Sequence, residues 1–181
     1  MSDRKFILDN LEYRLSVKYP DRYIDIGYGN VYPGIVIIHH NNTIPERDGT
    51  SGALKRFNLL DEVYRIPLTI VNNISDQENR KILIELLEIL RPLVIVTSGQ
   101  DATEILKNKK LRSFKIHCGK EFSIEDLTFC RMYAILNPEE YSFARASSSL
   151  KEQGKKEWER LAKIFDKEHR EKQLDRWKVM S

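Results

Sequence analysis

RPLVIVTSGQDA, residues Arg91 to Ala102, is the stretch that decides the fold class. Leu93 to Thr97 is a short, continuous apolar run rich in β-branched residues, the composition of a strand covered on both faces. Ser98-Gly99-Gln100 then turns the chain, and Gln100 to Lys107 carries a helical pattern. Three other runs share this form. Gly34 to Ile38 lies between Pro33-Gly34 and His39-His40-Asn41-Asn42. Pro67 to Val71 is followed by Asn72-Asn73, and Arg131 to Leu136 by Asn137-Pro138. Strands are therefore expected near 34–39, 67–72, 93–98 and 131–136.

Helical patterns separate these runs. Gly52 to Glu62 reads as one helix. Asp76 to Leu90 places Ile82, Leu83, Leu86, Leu87 and Leu90 on one stripe, with Ser75 as N-cap three residues before Glu78. A long C-terminal helix, about 150–178, carries Trp158, Leu161, Ala162 and Phe165 at i, i+3, i+4 and i+7. An N-terminal helix, about 4–18, places Phe6, Ile7, Leu11 and Leu15 at near-helical spacing and ends at Tyr19-Pro20. Tyr23 to Tyr32 is aromatic and Gly-rich, and reads as a loop or a short strand. Apolar strands alternating with helices predict a three-layer α/β/α fold with a mainly parallel central sheet of about four strands. No internal repeat or low-complexity linker interrupts the 181 residues, so one domain over 1–181 is expected.

Composition narrows the function classes. With 41% hydrophobic and 31% charged residues, the chain can bury a core without staples. No window approaches the roughly 18–20 apolar residues of a membrane span. The start, MSDRKFILDNLEYR, lacks the apolar stretch of a signal peptide, so secretion is not expected. Cys118 and Cys130 are too few for a disulfide framework or a Cys-rich metal site, and a reducing cytoplasmic setting is the simplest reading. The net charge of +3 decides little, but its distribution is informative. Lys107, Lys109, Lys110, Arg112, Lys115 and Lys120 form a basic run without an acidic residue. Such a patch suits a phosphate backbone; the competing reading is a solvated helix end.

In open α/β sheets, ligands bind outside the carboxyl ends of the strands. All four expected ends here are polar. His39 and His40 point opposite ways if the strand persists, so at most one faces a site, and adjacent histidines present no chelating face. No metal and no cofactor are expected. Asp48-Gly49 leads into Thr50-Ser51-Gly52, a small-residue loop at a helix start that suits anions. The carboxamide of Asn72 offers a donor and an acceptor together, as reading a base edge requires. Each of these residues also reads as an ordinary turn or capping residue.

Taken in order, these motifs carry a resemblance. DGTSGALKRFNLLDEVYRIPLTIVNNI (Asp48 to Ile74), LEILRPLVIVTSGQDATEIL (Leu87 to Leu106) and MYAILNPEEYSFARASSSLKEQGKKEWERLAKIF (Met132 to Phe165) make the chain from about Gly34 to Phe165 resemble the uracil-DNA glycosylase superfamily, most closely its compact bacterial and archaeal-type branches. The resemblance implies a DNA glycosylase that flips a damaged or modified base into a pocket and hydrolyses its N-glycosidic bond. It implies DNA as partner, a replication or repair protein as a further partner, and a monomeric, DNA-associated cytoplasmic protein.

Its residue roles carry over position by position. Asn72, with Asn73 as fallback, would read the base beside His39 and His40. Asn41 or Asn42, or else Asp48, would position water, and Asn137 would face the leaving base. Tyr141, Phe143 and Arg145 would enter the groove. Ser98, Gly99, Ser147 and Ser148 would contact phosphates, with Lys109, Lys110 and Arg112 as the basic patch. The departures are equally specific. The catalytic first motif reads His39-His40-Asn41-Asn42-Thr43, the stacking Pro-Phe is absent near Thr50-Ser51, and the last-motif His is Asn137, though Pro138 remains. The iron–sulfur cysteines of some branches are missing. The alternatives are a catalytically lapsed scaffold that binds DNA or protein, and a nucleotide- or sugar-processing α/β enzyme alike only in architecture.

Overall fold

The structure, a computed structural model, describes residues 3–40, 49–137 and 147–180. Among these residues the strands are β1 (Tyr28–Gly29), β2 (Ile35–His39), β3 (Val63–Pro67), β4 (Val94–Ser98), β5 (Glu121–Ile124) and β6 (Leu127–Ile135). The helices are α1 (Arg4–Lys18), α2 (Gly49–Arg56), α3 (Asp76–Leu90), α4 (Gln100–Lys107) and α5 (Ser148–Met180), with short 3-10 turns at Leu60–Glu62 and Phe114–Ile116. The fold class is α/β.

The strands form one six-stranded sheet in the order β1-β3-β2-β4-β6-β5. β3, β2, β4 and β6 run parallel. β1 pairs antiparallel with β3 on one edge, and β5 antiparallel with β6 on the other. The sheet is thus mixed and six-stranded, where four mainly parallel strands were expected; the expected parallel set is its interior. The two added edge strands lack an uninterrupted apolar run. β1 has two residues and β5 alternates exposed with half-buried positions, because an edge strand needs only one covered face.

β2, β3 and β4 are buried along their whole length, and β6 over Met132 to Ile135, because helices cover both faces. Val36, Ile38, Tyr64, Ile66, Ile95 and Met132 pack with α1, α3 and α4. Ile35, Ile37, Val63, Val94, Val96, Tyr133 and Ile135 pack with α2 and α5 through Leu54, Trp158, Leu161 and Phe165. This split follows the two-residue side-chain period of a strand. α3 begins as its sequence requires. The Ser75 hydroxyl accepts from Glu78 N at 3.2 Å, and the Glu78 carboxylate accepts from Ser75 N, closing a capping box. Leu83, Leu86, Leu87 and Leu90 are fully buried, each worth roughly 1.5–3 kcal/mol over its exposed state.

The second strand departs from expectation. It spans Val63–Pro67, not 67–72. The apolar run Leu68 to Val71 lies beyond it and is held by other means. The buried Asn79 carboxamide accepts from Ile70 N (3.0 Å) and Val71 N (2.9 Å) and donates to Val71 O (3.0 Å). Ile24 and Val71 form an isolated antiparallel bridge. The helix expected over 52–62 is likewise split into α2 and the 3-10 turn at Leu60–Glu62.

Candidate functional site

From β2 the chain steps outward to β3, then crosses back past β2 to β4 and on to β6. The order reverses between β2 and β4, and the crevice at such a reversal is where α/β sheets place ligands. The register brings three polar residues to that rim. His39 lies opposite Pro67, Ile38 opposite Thr97, and Ser98 opposite Ile135. His39 follows the parity of Ile35 and Ile37, and Ser98 that of Val94 and Val96, so both belong to the face covered by α2 and α5. Each is only 6% exposed. The His39 Nδ1 lies 2.9 Å from His40 O; a carbonyl can only accept, so Nδ1 carries the proton in this contact. His40 is exposed.

Gly99 turns β4 into α4. Its φ of +90° is in the region that favours glycine, and a Cβ there would sit 3.4 Å from the Asn137 Cβ. Asn137 therefore packs directly against the Gly99 turn. Gly99 N donates to Ile135 O at 2.9 Å, and Gly99 O accepts from the Thr103 hydroxyl at 2.9 Å. The Thr103 hydroxyl also lies 2.7 Å from that of Thr97. These bonds fix the turn from both sides. His39, Ser98, Gly99 and Asn137 thus come together from β2, β4 and the end of β6.

Asn72 and Asn73 are not part of this group. With β3 ending at Pro67, Asn72 stands five residues past a strand end, on the segment whose Ile70 and Val71 belong to the core beneath α1 and α3. Its Oδ1 accepts from Tyr23 N at 2.8 Å, and its own N donates to Tyr23 O at 3.1 Å, so its carboxamide oxygen ties this segment to the one at Tyr23. Asn73 is exposed in the left-handed region, φ +56°. Asn41, Asn42, Asp48, Tyr141, Phe143 and Arg145 lie outside the described residues. Ser147 and Ser148 are exposed at the start of α5, where the Ser147 hydroxyl accepts from Leu150 N at 3.3 Å. That hydroxyl caps a helix.

The basic run returns toward the rim. After α4, Asn108 adopts a left-handed conformation and the chain folds back until Leu111 O accepts from the Gln100 side chain at 3.3 Å. Lys109 and Arg112 are exposed there. Lys110 is committed elsewhere: its ammonium lies 2.8 Å from the buried Glu104 carboxylate. Glu104 also accepts from Gln100 Nε2 at 2.7 Å and Leu111 N at 2.9 Å. The Lys110 contact first, then these two donors, pull the Glu104 carboxyl down to about 2.

One buried polar residue escapes the sequence reading. Arg65, 5% exposed, sits inside β3 on the α2 side, with Nη1 3.4 Å from the Ser51 hydroxyl. In sequence it is a lone arginine within the apolar run VYRIP, which does not announce the face it takes. Among the described residues no group of three or more His, Cys, Asp or Glu could hold a metal ion. No helix there is long and apolar enough to cross a membrane. The sequence matches no family model, and no curated protein matches it.

Proposed function

We propose that the protein is a DNA-binding α/β protein of three layers that takes a flipped nucleobase into the crevice between β2 and β4 and cleaves its N-glycosidic bond. The observation that carries this reading is that His39 and Ser98, at the ends of two neighbouring parallel strands, share one face of the rim where the strand order reverses, with Asn137 packed on the Gly99 turn beside them. In the reaction, a water oxygen bonds to the sugar C1′ as the C1′–N bond breaks, and the departing base takes the bonding electrons and then a proton. The Asn137 amide is suited to donate to that base, and the Ser98 hydroxyl to hold an adjacent phosphate oxygen. The exposed Lys109 and Arg112 supply sequence-independent attraction to the backbone.

The test is incubation with oligonucleotides carrying a panel of modified bases, with mass spectrometry of what is released. Free base together with alkali-labile strands supports the enzyme. DNA binding without release from any base supports the second reading, a lapsed scaffold. The specific observation favouring the scaffold is that Asn72, the residue to which the resemblance gives base reading, spends its carboxamide on the backbone of Tyr23.

A further inference from the structure

We propose that one side of α5, with the loop it packs against, is a track for single-stranded nucleic acid, held by its phosphates as the strand leaves the rim. The inference rests on the DNA-binding part of the proposed function and names the form of the partner. It does not depend on bond cleavage.

Lys156, Arg160, Lys163 and Lys167 stand at i, i+4, i+7 and i+11 on α5, so they share one face of the helix. All four are exposed. At 1.5 Å per residue the row is about 16 Å long. The neighbouring faces have other duties. Trp158, Leu161 and Phe165 are buried against the sheet. Glu152, Glu159 and Asp166, spaced seven residues apart, make an acidic row beside the basic one. The other flank is the loop after α4. There Arg160 Nη1 donates to Gly119 O at 2.6 Å, between the exposed Lys115 and Lys120. The cations of loop and helix thus meet at Arg160, and the acidic row confines an anion to their side.

Existing contacts leave this charge in place. The Lys156–Glu152 and Lys167–Glu171 pairs are exposed and 3.8 Å long, and such pairs hold weakly. Arg160 spends one nitrogen on a neutral carbonyl. Glu121, next to Lys120 in the chain, is held by two nitrogens of Arg131.

The course of α5 selects the partner. Glu157 accepts from Leu136 N at 2.9 Å, at the carboxyl end of β6 and so at the rim. Further along, Phe165 packs on Gly34, just before β2, and Glu168 lies 3.0 Å from Arg131, which is level with the start of β4. The basic row therefore descends from the rim toward the amino ends of the strands. A duplex, stiff over about 150 base pairs, cannot turn from the rim onto this wall, whereas a single strand can. A lipid surface would need apolar side chains exposed beside the cations. Among the described residues, none of the exposed large hydrophobic side chains is on α5.

The experiment is fluorescence anisotropy of the full chain with a labelled oligothymidylate of about 20 nucleotides and a duplex of about 20 base pairs, over a range of salt. The triple variant Lys156→Gln, Lys163→Gln, Lys167→Gln should weaken the single strand about tenfold and lower its salt slope by about two, roughly 0.7 per cation. Duplex affinity should stay within about twofold, because the duplex reaches only the rim. Lys151→Gln with Lys155→Gln, on a different face of the same helix, should change neither. All these positions are exposed, so thermal melts should match wild type. A single strand indifferent to the triple variant, or a duplex weakened by it as much, would overturn the proposal. So would binding to phosphatidylserine vesicles that the triple variant abolishes. If Lys109→Glu weakens DNA binding and the triple variant does not, this inference falls and the proposed function stands. Row-dependent binding of the single strand, with no base released from any substrate, leaves the track without the enzyme.

Discussion

Asn79→Ala should destabilise the protein far more than the same truncation at Asn72. The Asn79 side chain is 4% exposed and satisfies three backbone groups, those of Ile70 N, Val71 N and Val71 O. Ile70 and Val71 are fully buried. Truncation leaves two donors and an acceptor without their partner. A buried polar group so stranded costs about 1–3 kcal/mol, and water entering the vacated space favours the lower end, giving roughly 3 kcal/mol in all. For a chain of this size that corresponds to a fall in Tm of about 6–12 °C. Asn72 is only half-buried and accepts one bond, from Tyr23 N, so Asn72→Ala should cost about 1 kcal/mol or less. Urea unfolding followed by far-UV circular dichroism measures both. Equal losses in the two variants, or a loss below about 1 kcal/mol for Asn79→Ala, would show that the 68–73 segment is held by burial alone.

Other outcomes are equally definite. Ser75→Ala should cost about 1 kcal/mol by opening the capping box of α3, measured in the same urea titration; no change would mean water replaces the cap. The Glu104 carboxyl is depressed to about 2, below its value in the unfolded chain, so its contribution is complete above the unfolded value and is lost as pH falls from there toward 2. The stability difference between wild type and Glu104→Gln should therefore shrink between pH 5 and pH 2 in thermal melts, and a constant difference would refute the ion pair as its source. Lys109→Glu and Arg112→Glu should weaken DNA binding on every sequence and reduce the salt slope by about one each in fluorescence anisotropy. Lys110→Glu should also lower Tm, because it faces the Glu104 carboxylate. Unchanged affinity across salt would reduce the patch to solvated surface.

The elements that were legible in the sequence share one physical property: their pattern is set by burial they cannot avoid. β2, β4 and the end of β6 are interior strands covered on both faces, so they appear as unbroken apolar runs. α3 shows its stripe and its capping box. β3 was misplaced because two buried segments follow one another there. Ile70 and Val71 are as buried as a strand, yet they are satisfied by a side-chain amide and an isolated bridge, while Leu68 N donates to His39 O at 2.7 Å. The true strand carries Arg65 and ends in Pro67, both of which weaken a strand signal. Pro67 is tolerated because it is the last residue of β3. The β5–β6 hairpin escaped notice because an edge strand alternates, and its turn at Glu125-Asp126 has neither glycine nor proline. At the site, His39, Ser98, Gly99 and Asn137 were legible as strand ends. Arg65 was not, because a lone arginine in an apolar run does not announce which face it takes.

The misplaced strand end matters most for chemistry. A side chain can act on a ligand at the rim only if the fold does not already need its polar atoms. Asn72 does not meet that condition, since removing its acceptor leaves Tyr23 N without its partner. Ser98 is placed differently, because the Gly99 turn that follows it is secured by backbone groups and by the Thr97–Thr103 hydroxyl pair. Rigid backbone with polar side chains not required to maintain it is the arrangement that preorganised sites use. Among the described residues, any chemistry at this rim therefore rests on the ends of β2, β4 and β6. Substitution at Ser98 should change what the protein does to a ligand while leaving its Tm within a few degrees of wild type. A large fall in Tm on Ser98→Ala would place that side chain among the structural polar groups, with Asn79.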